Sequence, residues 1–203
     1  PAYGTALSGD TLYITTRRAV TVNGSLMVAE VFALDRRTGT ELWRWTSATS
    51  HNSANGSPVV VGRLLVVDDE DDGAIFAIDR FTQTEQWRIP GNPGDAGPKG
   101  TPAVIGDTVY VASADRAVYA IHAASGKVLW RTQAGGSYLS VAVCRNKVFA
   151  NDFGLDVRDR RTGAILDRVL ASRQDANYAY GGIGTDGVRI YVTSNIGTYA
   201  ITC

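Results

Sequence analysis

VFALDRRTGTELW, residues 31–43, returns as IFAIDRFTQTEQW at 75–87, VYAIHAASGKVLW at 118–130 and LDVRDRRTGAILD at 155–167. A fifth copy, TYAITC at 198–203, stops before its second half. Aligned on Ala33, Ala77, Ala120, Val157 and Ala200, the copies recur about every 40 residues. A strand-rich unit of that length cannot bury both of its faces alone. It must stack on copies of itself.

The cleanest copy, residues 100–132, shows what the unit is. TPAVIG alternates small and apolar residues, and Gly106-Asp107 makes a turn. TVYVAS puts Val109 and Val111 on one face and Tyr110 on the other; AVYAIH and, after Ser125-Gly126, KVLWRT complete four short strands. Such a run reads as an antiparallel meander, and meanders at this period pack radially as propeller blades with the first strand innermost. The expected fold is therefore all-β: a β-propeller forming one unit over residues 1–203, with blades at about 1–47, 55–91, 100–135, 137–171 and 180–203. The last blade lacks its outer strand, and no spare strand precedes the first, so the expectation is a segment of a larger ring. No helical period is visible.

With 20 basic and 20 acidic residues, the chain gives no electrostatic reason to expect a nucleic-acid partner. No apolar run approaches the ~20 residues that span a bilayer. The sequence opens at Pro1 without a methionine or a signal region, which reads as a removed leader or a start inside a longer protein. Two cysteines, Cys144 and Cys203, make neither a disulfide framework nor a metal site. One bridge between them is possible, but two free thiols are the expectation.

Ala33, Asp35, Thr38, Gly39, Glu41 and Trp43 resemble the tryptophan-docking motif of pyrroloquinoline-quinone-like (quinoprotein-type) propellers. Ala77, Asp79 and Trp87 repeat it with Gln83 for the glycine; Ala120, Gly126 and Trp130 repeat it with His122 for the aspartate. In the fourth copy Asp159 and Gly163 survive, but Asp167 stands where the tryptophan should be. Each residue type has a structural task. The carboxylate locks the hairpin between third and fourth strands, and His122 is expected to do the same. Glycine supplies the turn's positive φ. The alanine is expected to leave room for a neighbouring blade's tryptophan, whose indole supplies the contact between blades. Trp43, Trp87 and Trp130 should thus be buried between blades, with a weaker junction at Asp167.

The resemblance implies either of two functions. The family includes dehydrogenases that hold pyrroloquinoline quinone and calcium through a Glu/Asn/Asp set, often beside two adjacent cysteines. It also includes non-catalytic members such as the outer-membrane barrel-assembly lipoprotein. Without adjacent cysteines, and with all four tryptophans on outer strands, the chain looks closer to the second group. No cofactor and no catalytic residue is predicted. The resemblance also implies a bacterial, periplasmic or secreted location. A fragment of a quinone-dependent alcohol or sugar dehydrogenase is the alternative, and an extracytoplasmic sensor domain a further one.

A propeller places its blade-to-blade connections and second-to-third turns on one face. Here that face carries the irregular segments, including SATSHNSANGS, GNPGDAGPKG, QAGGSY and SRQDANYAYGG, and loops on a rigid scaffold carry binding. The candidate partner or ligand residues are His51, Asn52, Asn55, Lys99, Tyr138, Asn177, Tyr178 and Tyr180. The acidic tip DDEDDG makes Asp69 and Asp71 weak calcium candidates, although an Asp-Gly hairpin needs no metal. Two histidines and no Ser/His/Asp set leave little material for hydrolytic or zinc chemistry.

Overall fold

The computed structural model describes residues 2–19, 27–48, 56–68, 73–91, 100–113, 115–134, 140–151, 154–169, 182–194 and 197–203. Among these, all regular structure is strand. The first sheet is β1 (Ala2–Ser8), β2 (Thr11–Ala19), β3 (Met27–Asp35) and β4 (Glu41–Thr46), and the second β5 (Val59–Val61), β6 (Leu64–Asp68), β7 (Ile75–Asp79) and β8 (Thr84–Ile89). A third follows with β9 (Ala103–Ile105), β10 (Thr108–Ser113), β11 (Ala117–His122) and β12 (Val128–Gln133). The fourth comprises β13 (Val141–Cys144), β14 (Lys147–Asn151), β15 (Leu155–Asp159) and β16 (Ile165–Val169). The fifth has three strands, β17 (Ile183–Thr185), β18 (Arg189–Ser194) and β19 (Gly197–Thr202). Each sheet pairs in chain order and antiparallel, so every blade is a meander. The protein is an all-β propeller with unclosed end blades.

Alternation along each strand divides its residues between two neighbouring blades. In the second blade Leu65, Val67, Phe76 and Ile78 pack with Tyr13, Ala29, Val31 and Ala33 of the first. Their neighbours Leu64, Val66, Ile75 and Ala77 pack with Val109, Val111, Tyr119 and Ile121 of the third. Equivalent clusters join the third blade to the fourth and the fourth to the fifth. The core is thus a series of apolar layers, one at each junction.

A β-bulge recurs at the same place in the first four blades, after Ala33, Ala77, Ala120 and Val157. It leaves Leu42, Gln86, Leu129 and Leu166 without an opposite residue in the outer strand. The extra residue shifts the alternation, so Trp43, Trp87 and Trp130 turn onto the face that meets the next blade. It also explains why Leu42, Leu129 and Leu166 stand about half exposed.

Candidate functional site

The hairpin between third and fourth strands is built from one carboxylate. Asp35 Oδ1 accepts from the amides of Arg37 and Thr38 (2.9 and 2.8 Å) and from the Thr38 hydroxyl (3.0 Å). Asp159 does the same with Arg161, Thr162 and the Thr162 hydroxyl (3.0, 2.8 and 2.8 Å). Asp79 Oδ1 accepts from Phe81 and Thr82, while its Oδ2 takes Arg63 Nε at 2.8 Å. These bonds favour the charged form. The Arg63 hydrogen bond, then the Phe81 amide, hold Asp79 down at about 2. The Thr38 amide foremost lowers Asp35, and the Thr162 hydroxyl foremost lowers Asp159. His122 closes its hairpin with Nδ1 at 2.8 Å from Ser125 Oγ.

From that hairpin the next contact is between blades. Trp87 Nε1 donates to Ala123 O at 2.7 Å, and its ring lies against Gly126, where a Cβ would fall 2.7 Å from Cγ and Cδ2. Trp130 Nε1 donates to Arg160 O at 2.9 Å, and its ring meets Gly163. All three motif tryptophans are part-buried rather than fully enclosed. The alanine serves a different neighbour from the one expected: Ala33, Ala77 and Ala120 sit opposite Trp43, Trp87 and Trp130 of their own sheets. Its small side chain lets the tyrosine one strand further in reach across. Tyr13 lies 5.8 Å from Trp43 and Tyr110 6.0 Å from Trp130, between ring centroids.

The expectation of two free thiols is overturned. Cys144 and Cys203 form a disulfide, with Cα atoms 6.0 Å apart, across the junction of the fourth and fifth blades. Stacking places the end of β13 beside the residue that follows β19, a proximity that 59 residues of sequence separation concealed.

Two further features were not foreseen. Arg158, 1% exposed, extends between the third and fourth blades. Its guanidinium bonds Asp156 at 2.6 Å, Thr132 Oγ1 at 2.8 Å and Gln133 O at 3.0 Å. Arg168 holds the other oxygen of Asp156 at 2.9 Å. This charged group occupies the position of Leu34, Ile78 and Ile121 in the other blades, and that overlay is the signal that it points inward. The second feature is a cavity of 310 Å³ at the rim of the first junction, lined by Trp45, Thr46, Ser47, Ala48, Glu85 and Arg88. Two of these lining residues pack on the buried Phe76 ring, which lies 5.3 Å from Trp45 and 4.5 Å from the Arg88 guanidinium; Glu85 grips that guanidinium at 2.9 and 2.7 Å.

His51, Asn52, Asn55, Lys99, Tyr138, Asn177, Tyr178 and Tyr180 lie outside the described residues, as do Asp69 and Asp71. What is described of their face are the strand ends that lead to it: β2 and β4 of the first blade and their equivalents. The cavity opens beside that face, at the end of β4. Among the described residues no three His, Cys, Asp or Glu side chains gather to hold a metal ion. The two cysteines tie blades together and are not adjacent, and the tryptophans are engaged at junctions.

The family model described as "Outer membrane protein assembly factor BamB" matches residues 27–179. No curated protein sequence matches the chain. Among solved structures, BamB from Moraxella catarrhalis superposes with a TM-score of 0.68 at 16% identity, over 97% of this chain and 70% of that one. The quinohemoprotein alcohol dehydrogenase ADHIIG from Pseudomonas putida HK5 gives 0.72 at 16% identity, over 98% of this chain but 40% of the enzyme. A europium-containing methanol dehydrogenase gives 0.61 at 19% identity, over 82% of this chain and 41% of the enzyme. At these identities the structural likeness speaks for the fold.

Proposed function

The chain belongs to the family of the outer membrane protein assembly factor BamB, and on that premise we propose that it is a non-catalytic scaffold. It presents its loop-rich face to a protein partner on the extracytoplasmic side of a bacterial inner membrane. The family match over residues 27–179 carries this reading. Two observations support it. The residues for which the quinone-related motif is known are spent on hairpin locks and blade contacts. The disulfide suits an oxidising compartment. On this reading the Trp45 cavity is an anchor pocket, with room for one apolar or aromatic side chain of the partner and a self-neutralised Glu85–Arg88 pair at its rim.

The competing reading is a dehydrogenase segment, favoured by the likeness to quinohemoprotein alcohol dehydrogenase. The full-length protein incubated with calcium and pyrroloquinoline quinone separates the two in a dye-linked oxidation assay on alcohols and sugars. No turnover above a quinone-free control is expected. Quinone-dependent dye reduction would sink the scaffold reading.

A further inference from the structure

The junction between the fourth and fifth blades has no indole wedge, because its docking position is Asp167. At the two preceding junctions a tryptophan donates to a carbonyl three residues beyond the motif's alanine position: Trp87 to Ala123 O, after Ala120, and Trp130 to Arg160 O, after Val157. In the fifth blade the alanine is Ala200, so the equivalent carbonyl belongs to Cys203. An aspartate carboxylate cannot donate to it. Lys147 does so instead: its Nζ lies 2.9 Å from Cys203 O. The side chain of the same residue carries the disulfide to Cys144.

The two cysteines also occupy positions that meet at other junctions. Cys144 ends the innermost strand of its blade, as Ser8 and Val61 do, and Cys203 corresponds to Arg80 and Ala123. Across the first junction Arg80 Nη1 bonds Ser8 Oγ at 3.1 Å, and across the second Val61 and Ala123 share one apolar cluster. Repeat geometry therefore brings this pair of positions together at the first and second junctions as well. At the fourth junction the chain places a covalent bond there.

We propose that the Cys144–Cys203 bond, with Lys147, is the clasp that replaces the missing tryptophan, and that it is a thiol–disulfide exchange site at which a dithiol releases the fifth blade. The more exposed sulfur is the entry point, since Cys144 is 1% exposed while Cys203 is part-buried. A thiolate of the dithiol attacks Cys203 Sγ and expels Cys144 as a thiolate. The ammonium of Lys147, directly opposite Cys144 in the strand pairing, is the nearby charge that favours this leaving group. The second thiol of the reagent then closes on the mixed disulfide and frees Cys203. The dithiol is oxidised to its cyclic disulfide, and the protein gains two electrons and two protons as two thiols. What then holds the junction is the apolar layer of Phe149, Leu155, Val157, Ile190 and Val192 and the Lys147 hydrogen bond to Cys203 O, without an indole wedge or a covalent bond.

Hydrogen–deuterium exchange on the full-length protein, with and without dithiothreitol, tests this. Reduction should speed exchange in β17–β19 by about tenfold or more while β5–β12, joined by tryptophan junctions, keep their protection. A Cys144→Ser/Cys203→Ser variant should show the same pattern without reductant and no response to it. If that variant does not fold, the reduced native protein still decides. Unchanged protection of β17–β19 after reduction confirmed by thiol alkylation would overturn the proposal, as would an equal loss in all five blades.

Discussion

Gly39 and Gly126 hold the same motif position with nearly the same backbone, φ +72° and +68°, and differ in what lies beside them. A Cβ on Gly39 meets nothing within 4 Å, whereas one on Gly126 falls 2.7 Å from the Trp87 ring. Gly39→Ala therefore isolates the backbone cost of a left-handed alanine, about 1–2 kcal/mol. Gly126→Ala pays the same cost and in addition pushes the indole outward, endangering its 2.7 Å bond to Ala123 O. Overpacking of this kind costs a further 1–3 kcal/mol or so. For a chain of this size, roughly 2 kcal/mol of difference moves the thermal midpoint by about 4–8 °C. Urea and thermal unfolding of the two variants side by side measure the gap. Equal destabilisation would refute the view that this glycine is kept for the neighbouring blade's indole and not for its turn alone.

Further outcomes follow from the same contacts. Trp87→Phe keeps a ring at the second junction but leaves Ala123 O without its donor, and should cost about 2 kcal/mol in urea unfolding. Arg158→Ala leaves the buried Asp156 carboxylate to Arg168 alone and should cost about 3 kcal/mol. Asp156→Phe/Arg158→Ile, the residues of the second blade, should stay within about 2 kcal/mol of the native protein or stabilise it. Asp79, held at about 2 by Arg63 and the Phe81 amide, titrates below its unfolded value. Its contribution is therefore complete above pH 4 and lost as pH falls towards 2. Asp186, at about 2 through the Arg189 and Val188 amides and the Tyr191 hydroxyl, adds to the same acid limb. Asp79→Asn should flatten the dependence of the urea midpoint on pH between 4 and 2; an unchanged slope would contradict the assignment.

The architecture was legible because a blade repeats: strand-like alternation, two-residue turns and a spaced aspartate, glycine and tryptophan return together, and only radial stacking buries both faces of such units. The disulfide was not legible from cysteine number. It becomes so only when the copies are overlaid, which sets Cys144 where Ser8 stands and Cys203 where Arg80 stands. Arg158 escapes notice for a related reason: an arginine in a strand reads as solvent-facing, and only Ile78 and Ile121 at the same register reveal an inward position. The alanine was placed against the wrong tryptophan because sequence spacing cannot show the bulge that aligns it with its own outer strand. The loop residues obey no period, so only topology and residue type point to them.

The central claim, a scaffold that binds a protein through one face, is tested most directly by photo-cross-linking in the host cell from two exposed positions. Ala48 stands at the end of β4, beside the Trp45 cavity and the loop-rich face. Lys127 stands in the turn before β12, on the opposite face. A photoreactive residue at 48 is expected to trap a component of the outer-membrane protein assembly machinery, and one at 127 to trap none. The same partner captured equally from both positions, or from 127 alone, would contradict the account.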